Sequence, residues 1–286
     1  MKHVLVVLSL LLAGFSATAQ EGGKVFDNLS LTSEILSAER SYSVYLPAGY
    51  DTSERSYPVL YLLHGSGDDH TGWIQFGEVT RIADKAIAEG CATPMIIVMP
   101  DADTKFRGYF NHQSGTHNFE DFFFEELIPC VEKTYRCRAD KHYRAVAGLS
   151  MGGGGTLVYA LHRPDLFAAA CPLSAAVRRM TDEAFVSRYM KSAEGKSEAE
   201  VREWYKNYDI LRLVEQWPDE NLKAVRWYID CGDDDFLSEG NALLHVAMLK
   251  RGIPHEFRVR DGEHNWSYWR QALPEVLRFV SKSFHK

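Results

Sequence analysis

Residues 143–162 read YRAVAGLSMGGGGTLVYALH, and the fold turns on how this stretch divides. The run YRAVAGL (143–149) reads as a buried strand, while Thr156 to His162 reads as a helix. Gly148-Leu149-Ser150-Met151-Gly152 is then a sharp strand-to-helix turn of the form G-x-S-x-G, which sets a serine at the tip of the bend. About one chain in ten of this composition carries such a string by chance, so the setting matters more than the letters. The flanking glycines allow close backbone approach, and the serine is offered near the positive end of the following helix. A packing turn with a capping serine would look the same. A nucleophile needs partners elsewhere in the chain.

Outward from this turn, short strand-like runs alternate with helical ones. LTSEIL (31–36) and SYSVYLP (41–47) suggest an antiparallel start, and PVLYLLHG (58–65) and PMIIVMP (94–100) are apolar runs of buried strands. A helix is expected around 78–89, a polar loop over 101–117, and a helix capped by Asn118 and interrupted at Pro129. LFAAACPL (166–173), VRWYIDCG (225–232) and HEFRVRD (255–261) supply further strands, with helices at 238–251 and 268–284. Residues 176–222 are charged and helical in pattern, an insertion between two strands. Such alternation predicts one α/β domain with an open, mostly parallel sheet and helices on both faces.

A serine nucleophile needs a base. His162 and His245 fall within helices and His255 opens a strand, whereas His264 lies in Asp261-Gly262-Glu263-His264-Asn265-Trp266, a turn beyond the last strand. In an open α/β sheet the crevice for a ligand lies beyond the carboxyl ends of the strands, where this turn belongs. The acid that orients the base should fall between them in chain order. Cys231-Gly232-Asp233-Asp234-Asp235 offers three carboxylates there, and composition does not choose among them. A calcium loop is the rival for such a cluster, but no D-x-D-x-D-G pattern is present. Backbone N–H groups for a developing oxyanion are expected from Met151 and from the loop His64-Gly65-Ser66-Gly67. A phosphate cradle is discounted, since neither G-x-x-x-x-G-K-[ST] nor G-x-G-x-x-G occurs.

The segments YPVLYLLHGSGDDHTGW, PMIIVMPD, ELIPCVEKTYR, RAVAGLSMGG, YIDCGDDDFL and GEHNWSYW, in this order over residues 30 to 284, resemble the putative-esterase family of α/β hydrolases. That family includes carbohydrate-esterase-1-like feruloyl and acetyl-xylan esterases, S-formylglutathione hydrolases and mycolyl transferases. The resemblance implies an α/β-hydrolase fold with Ser150 as nucleophile, His264 as base and Asp235 as acid, the last from a G-x-x-D spacing. Counting back from Phe236-Leu237 selects Asp234 instead. Amides of Met151 and Ser66 match the oxyanion positions, and His64, Gly65, Trp73 and Trp266 are expected beside the site. The formylglutathione branch carries a Thr-Cys-containing stretch where this chain has Ser66-Gly67-Asp68. The expected activity is hydrolysis of acetyl or feruloyl groups on plant-type polysaccharides, the alternatives being acyl transfer with the same triad or a general short-chain esterase. A non-catalytic binding module would lack the triad.

The 286 residues are 45% hydrophobic and 25% charged with a net charge of −7, which excludes a disordered chain and argues against nucleic acid as a partner. MKHVLVVLSLLLAGFSATAQ (1–20) combines a basic start, an apolar core from Val4 to Gly14 and an A-x-A site at Ala17-Thr18-Ala19. It predicts a signal segment 1–19, cleavage near Ala19 and export. The core is short for ~30 Å of hydrocarbon, so no stable membrane insertion is expected. Of the five cysteines, Cys91, Cys130, Cys137, Cys171 and Cys231, the last two read as buried, and Cys130 and Cys137 form a candidate disulfide. No metal or organic cofactor is implied.

Overall fold

The computed structural model describes residues 22–102 and 108–285; the expected signal segment lies outside them. The strands are β1 (Lys24–Ser33), β2 (Ala38–Leu46), β3 (Val59–Leu63), β4 (Ile96–Pro100), β5 (Arg144–Leu149), β6 (Ala169–Leu173), β7 (Arg226–Gly232) and β8 (His255–Arg260). They make one sheet in the order β1-β2-β4-β3-β5-β6-β7-β8. β1 and β2 pair antiparallel, as does β2 with β4; from β4 to β8 every pairing is parallel. The antiparallel start is longer than the sequence suggests, since β1 begins at Lys24 on a half-exposed run with weak apolar alternation.

The central strands are covered on both faces because their side chains alternate between two apolar layers. Val59, Tyr61 and Leu63 enter one layer with Val146 and Val98, while Leu60 and Leu62 enter the other with Ala147 and Ile97. Helices Met151–His162 and Ser238–Lys250 pack in the first layer; helices Val79–Ala88 and Trp266–Ser283 close the second. Leu60 is fully buried, and its truncation to Ala would cost about 2–5 kcal/mol.

The helical run that follows the long loop departs from expectation at both marked residues. Asn118 makes no capping hydrogen bond. Asn111 does so from across the loop: its Oδ1 accepts from the Asp121 N–H at 3.1 Å and its Nδ2 donates to Asp121 Oδ1 at 2.7 Å. Pro129 is accommodated by a widened π turn at Phe122–Leu127 just before helix Ile128–Thr134. A proline has no N–H for the preceding turn, and the extra residue relieves its ring from the carbonyl it would strike.

The insertion carries helices Asp182–Tyr189, Glu198–Tyr205, Ile210–Gln216 and Asp219–Lys223 between β6 and β7. Thr181, Ser197 and Asp209 cap the first three through their side chains, Ser197 in a capping box with Glu200. Ile210, Leu211, Leu213 and Val214 join the main core, whereas Phe185, Ala193 and Val201 form a small cluster of their own. Among the described residues no helix is long and apolar enough to cross a membrane. Cys171 and Cys231 are buried as expected, and Cys130 and Cys137 are both free thiols rather than a disulfide.

Candidate active site

Ser150 stands between β5 and helix Met151–His162 with φ +55° and ψ −114°, a conformation non-glycine residues rarely hold. Hydrogen bonds over-determine it. Its N–H donates to Leu173 O at 2.9 Å, and its carbonyl accepts from Gly154 and Ala176 N–H groups. Gly152 is required by approach, because a Cβ there would lie 2.6 Å from the carbonyl oxygens of Leu63 and His64. The bend therefore presses the turn at Ser150 against the loop after β3.

Ser150 Oγ–H donates to His264 Nε2 at 2.9 Å, and His264 Nδ1–H donates to Asp235 Oδ2 at 2.8 Å. Asp235 is 2% exposed, and its Oδ1 accepts from the Leu237 N–H at 2.8 Å. Burial pushes the Asp235 carboxyl up, but the hydrogen bonds from His264, Leu237 and Ser174 outweigh it and hold the group below the usual carboxylate range. Asp233 and Asp234 are exposed. Asp233 Oδ1 accepts from the Gly262 N–H at 3.1 Å and so ties the acid loop to the histidine loop. With Asp261 the two form a carboxylate cluster at the surface. Of the three neighbouring carboxylates, the fold brings Asp235 to the imidazole.

The other residues named from sequence fall into two groups. Met151 and Ser66 line the cavity beside Ser150, and Met151 opens its helix, where the first N–H groups have no acceptor within the helix. Gly65 abuts Ser150, since a Cβ there would sit 3.6 Å from the serine Cβ. His64, Trp73 and Trp266 lie behind the wall. His64 is 1% exposed; its Nδ1–H donates to Gly65 O at 2.7 Å and its Nε2 accepts from the Ala102 N–H at 2.9 Å, fixing one neutral tautomer. Trp73 donates to Leu63 O and meets Trp266 edge-on at 5.1 Å; Trp266 in turn meets Trp269, which stands edge-on to the His264 ring at 4.9 Å.

A cavity of about 570 Å³ opens at Ser150. One wall is Gly108 to Gln113 of the long loop; the other is the insertion, through Tyr189, Trp204, Tyr205 and Tyr208. Phe110 stacks on Tyr208 at 4.6 Å, Trp204 Nε1–H donates to Asn111 O at 2.8 Å, and Gln113 Nε2 donates to Ser192 Oγ at 2.8 Å. The walls are thus tied to each other. Tyr208 O–H also donates to Glu120 Oε2 at 2.9 Å, and Glu120 Oε1 accepts from His162 Nδ1 at 2.6 Å. The second ring nitrogen of His162 faces the Asn207 carbonyl at 2.8 Å, so both nitrogens meet acceptors. Burial works against the charge, but the Glu120 carboxylate and the Asn207 carbonyl prevail and raise the His162 pKa above its ordinary value.

The Esterase family model, described as "Putative esterase", matches residues 33–280. The chain belongs to this family. It is 40% identical over 259 residues to an endo-1,4-beta-xylanase/feruloyl esterase of Xylanibacter ruminicola, covering 87% of this chain and 30% of that protein. A solved ferulic acid esterase is 36% identical with a TM-score of 0.82, covering 92% of this chain and 99% of the other. An S-formylglutathione hydrolase of Bos taurus is 26% identical, covering 91% of this chain and 93% of that protein. The chain therefore spans under a third of its xylanase-bearing relative and nearly all of the other two.

Several parts of this family member's site escaped the sequence reading. Ser174, at φ +43°, accepts from Trp269 Nε1–H at 3.0 Å and stands at the Asp235 carboxylate. Asp230 is fully buried and accepts from the hydroxyls of Tyr228 and Tyr268, at 2.6 and 2.5 Å, and from Arg260 at 2.7 Å. It clamps β7 to both ends of the loop carrying His264. The aromatic wall of the insertion had a signal, the closely spaced Trp204, Tyr205 and Tyr208, which the charged residues around them obscured.

Proposed function

We propose that the protein is a serine carboxylic ester hydrolase, built as one α/β-hydrolase domain over residues 20–286 with the insertion 176–222 as part of its binding site. The observation that carries this reading is the hydrogen-bond chain Asp235–His264–Ser150 ending at an open cavity. Ser150 Oγ attacks the ester carbonyl carbon as its proton passes to His264 Nε2. The carbonyl oxygen becomes an oxyanion held by the N–H groups of Met151 and Ser66. The bond to the alcohol oxygen then breaks, that oxygen takes the proton from His264, and water repeats the sequence to free the acid. Asp235 fixes the imidazole tautomer and orientation throughout.

The substrates are feruloyl or acetyl esters on plant-type polysaccharides or their oligosaccharides. Aromatic walls joined by hydrogen-bonding groups suit a planar phenolic acyl group, and the Xylanibacter relative and the ferulic acid esterase carry that activity in their names. Export through the segment 1–19 would remove the enzyme from cytosolic thioesters. Release of ferulate from methyl ferulate tests the reading. Wild-type protein should turn it over, and Ser150→Ala should lower kcat by roughly 10⁴-fold with the fold intact. Comparable turnover by a folded Ser150→Ala variant would overturn it.

A further inference from the structure

The chain has a net charge of −7, yet no Asp or Glu lines the cavity at Ser150 among the described residues. Its charged lining is Arg178 and Arg188, both from the insertion. Arginines elsewhere are commonly paired with carboxylates: Arg144 with Glu132, Arg163 with Asp165, Arg251 with Asp219, Arg260 with Asp230, and Arg179, next to Arg178, with Glu215. Among the described residues neither cavity arginine makes such a pair. The Arg188 guanidinium lies 5.7 Å from the centroid of the Tyr189 ring, and both arginines bear electrostatically on its hydroxyl. The acidic group that also acts on Tyr189 is Asp209, and it is engaged in capping helix Ile210–Gln216. Two guanidinium groups thus face a cavity whose described lining has no acidic partner for them. Guanidinium is the side chain best matched to a carboxylate, by two parallel hydrogen bonds.

The position of Arg178 shows which part of an ester it meets. Its guanidinium lies 5.9 Å from the centroid of Phe236, a ring 68% exposed to solvent. Phe236 in turn lies 4.5 Å from the His264 ring. The departing alcohol oxygen takes its proton from His264, so the alcohol portion must lie on the histidine side, over Phe236. An exposed aromatic face suits the C–H face of a sugar ring, and Arg178 stands at its edge.

We propose that Arg178 and Arg188 form an anion-reading subsite for the alcohol portion of the ester, selecting substrates whose sugar carries a carboxylate, such as uronate-bearing oligosaccharides. This rests on the esterase reading above and adds the charge of the leaving group to it. The test compares two feruloyl esters acylated at the same secondary hydroxyl, one of methyl glucoside and one of methyl glucuronide, which differ only in the sugar carboxylate. Wild-type protein should favour the glucuronide by about 10-fold in kcat/KM, mainly through KM. Raising the salt concentration should shrink that ratio, because exposed charges are screened. In Arg178→Gln/Arg188→Gln, checked for an unchanged melting temperature, the ratio should fall towards one. A wild-type ratio near one, or a ratio that survives in the double variant, would overturn the subsite while leaving ester hydrolysis standing. Absence of turnover on both esters would overturn the esterase reading and the subsite together.

Discussion

At Ser150 the chain holds a backbone conformation it would leave if its neighbours relaxed, and what holds it there is backbone alone: Leu173 O, Gly154 N–H and Ala176 N–H. Removing the serine hydroxyl should therefore abolish the proposed activity with little loss of structure. The acid loop is different, since its three aspartates have separate duties. Asp235→Asn should lower kcat by about 10²–10⁴-fold, because an amide at His264 Nδ1 favours the wrong tautomer. Asp233→Asn should have a small effect, felt through the bond to the Gly262 N–H, and Asp234→Asn should have next to none. Steady-state rates of the three variants on one ester decide this; a crippled Asp234→Asn with an active Asp235→Asn would reverse the assignment. At this scale Ser150 and His264 were legible because each stands alone in a turn of distinct pattern. Asp235 was not separable by composition, since three identical neighbours differ only in how the loop after β7 aims them. Ser174 and Asp230 gave no signal at all: each works through partners far away in sequence, Trp269 and Arg260.

Elements show the same division between local pattern and distant contact. The apolar runs that became β3 and β4 and the segments that became helices Val79–Ala88 and Ser238–Lys250 were readable because their patterns are local. The cap at Phe119 was not, because Asn111 supplies it from the far side of the loop in place of the adjacent Asn118. The charged face of the insertion likewise concealed its aromatic wall over the cavity. That wall is tied to helix Met151–His162 by the His162–Glu120–Tyr208 bonds, which set a pH dependence of stability. The His162 pKa is raised on folding, so the tie is fully present below the unfolded value of about 6.5 and is lost as pH climbs through the raised value. His162→Gln should therefore destabilise by about 1 kcal/mol near pH 6, with the deficit narrowing by pH 9. Melting temperatures of both proteins across that range measure it. A deficit that stays constant with pH would mean the histidine contributes by packing alone.

For the whole molecule, strand–helix alternation was enough to foresee a mostly parallel sheet covered on both faces, while the order of its strands was beyond reach. That order depends on which apolar faces meet across the sheet, as when β4 inserts between β2 and β3. It places the ends of β3, β5, β7 and β8 at one rim, where Ser66, Ser150, Asp235 and His264 arrive from four separate loops. The cavity that opens at Ser66 and Ser150 is walled by rings and hydrogen-bonding groups, and its two walls are tied to each other through Asn111, Gln113 and Trp204. A long flexible acyl chain needs a continuous apolar channel, whereas a short acetyl or flat feruloyl group needs a bounded slot with a few polar anchors. Each methylene added beyond the slot must either stay in water or displace a tied wall, so binding gains from extra chain length should fail early. We therefore expect kcat/KM for feruloyl and acetyl sugar esters to exceed that for a palmitoyl ester by about 10²-fold or more, since the loss of a few kcal/mol of transition-state binding has that effect. Acetyl, feruloyl, butyryl and palmitoyl esters assayed under one set of conditions provide the comparison. A maximum at the palmitoyl ester would show that the walls part to admit a lipid chain, and would remove the proposed carbohydrate-ester substrate while leaving the proposed Ser150–His264–Asp235 chemistry untouched.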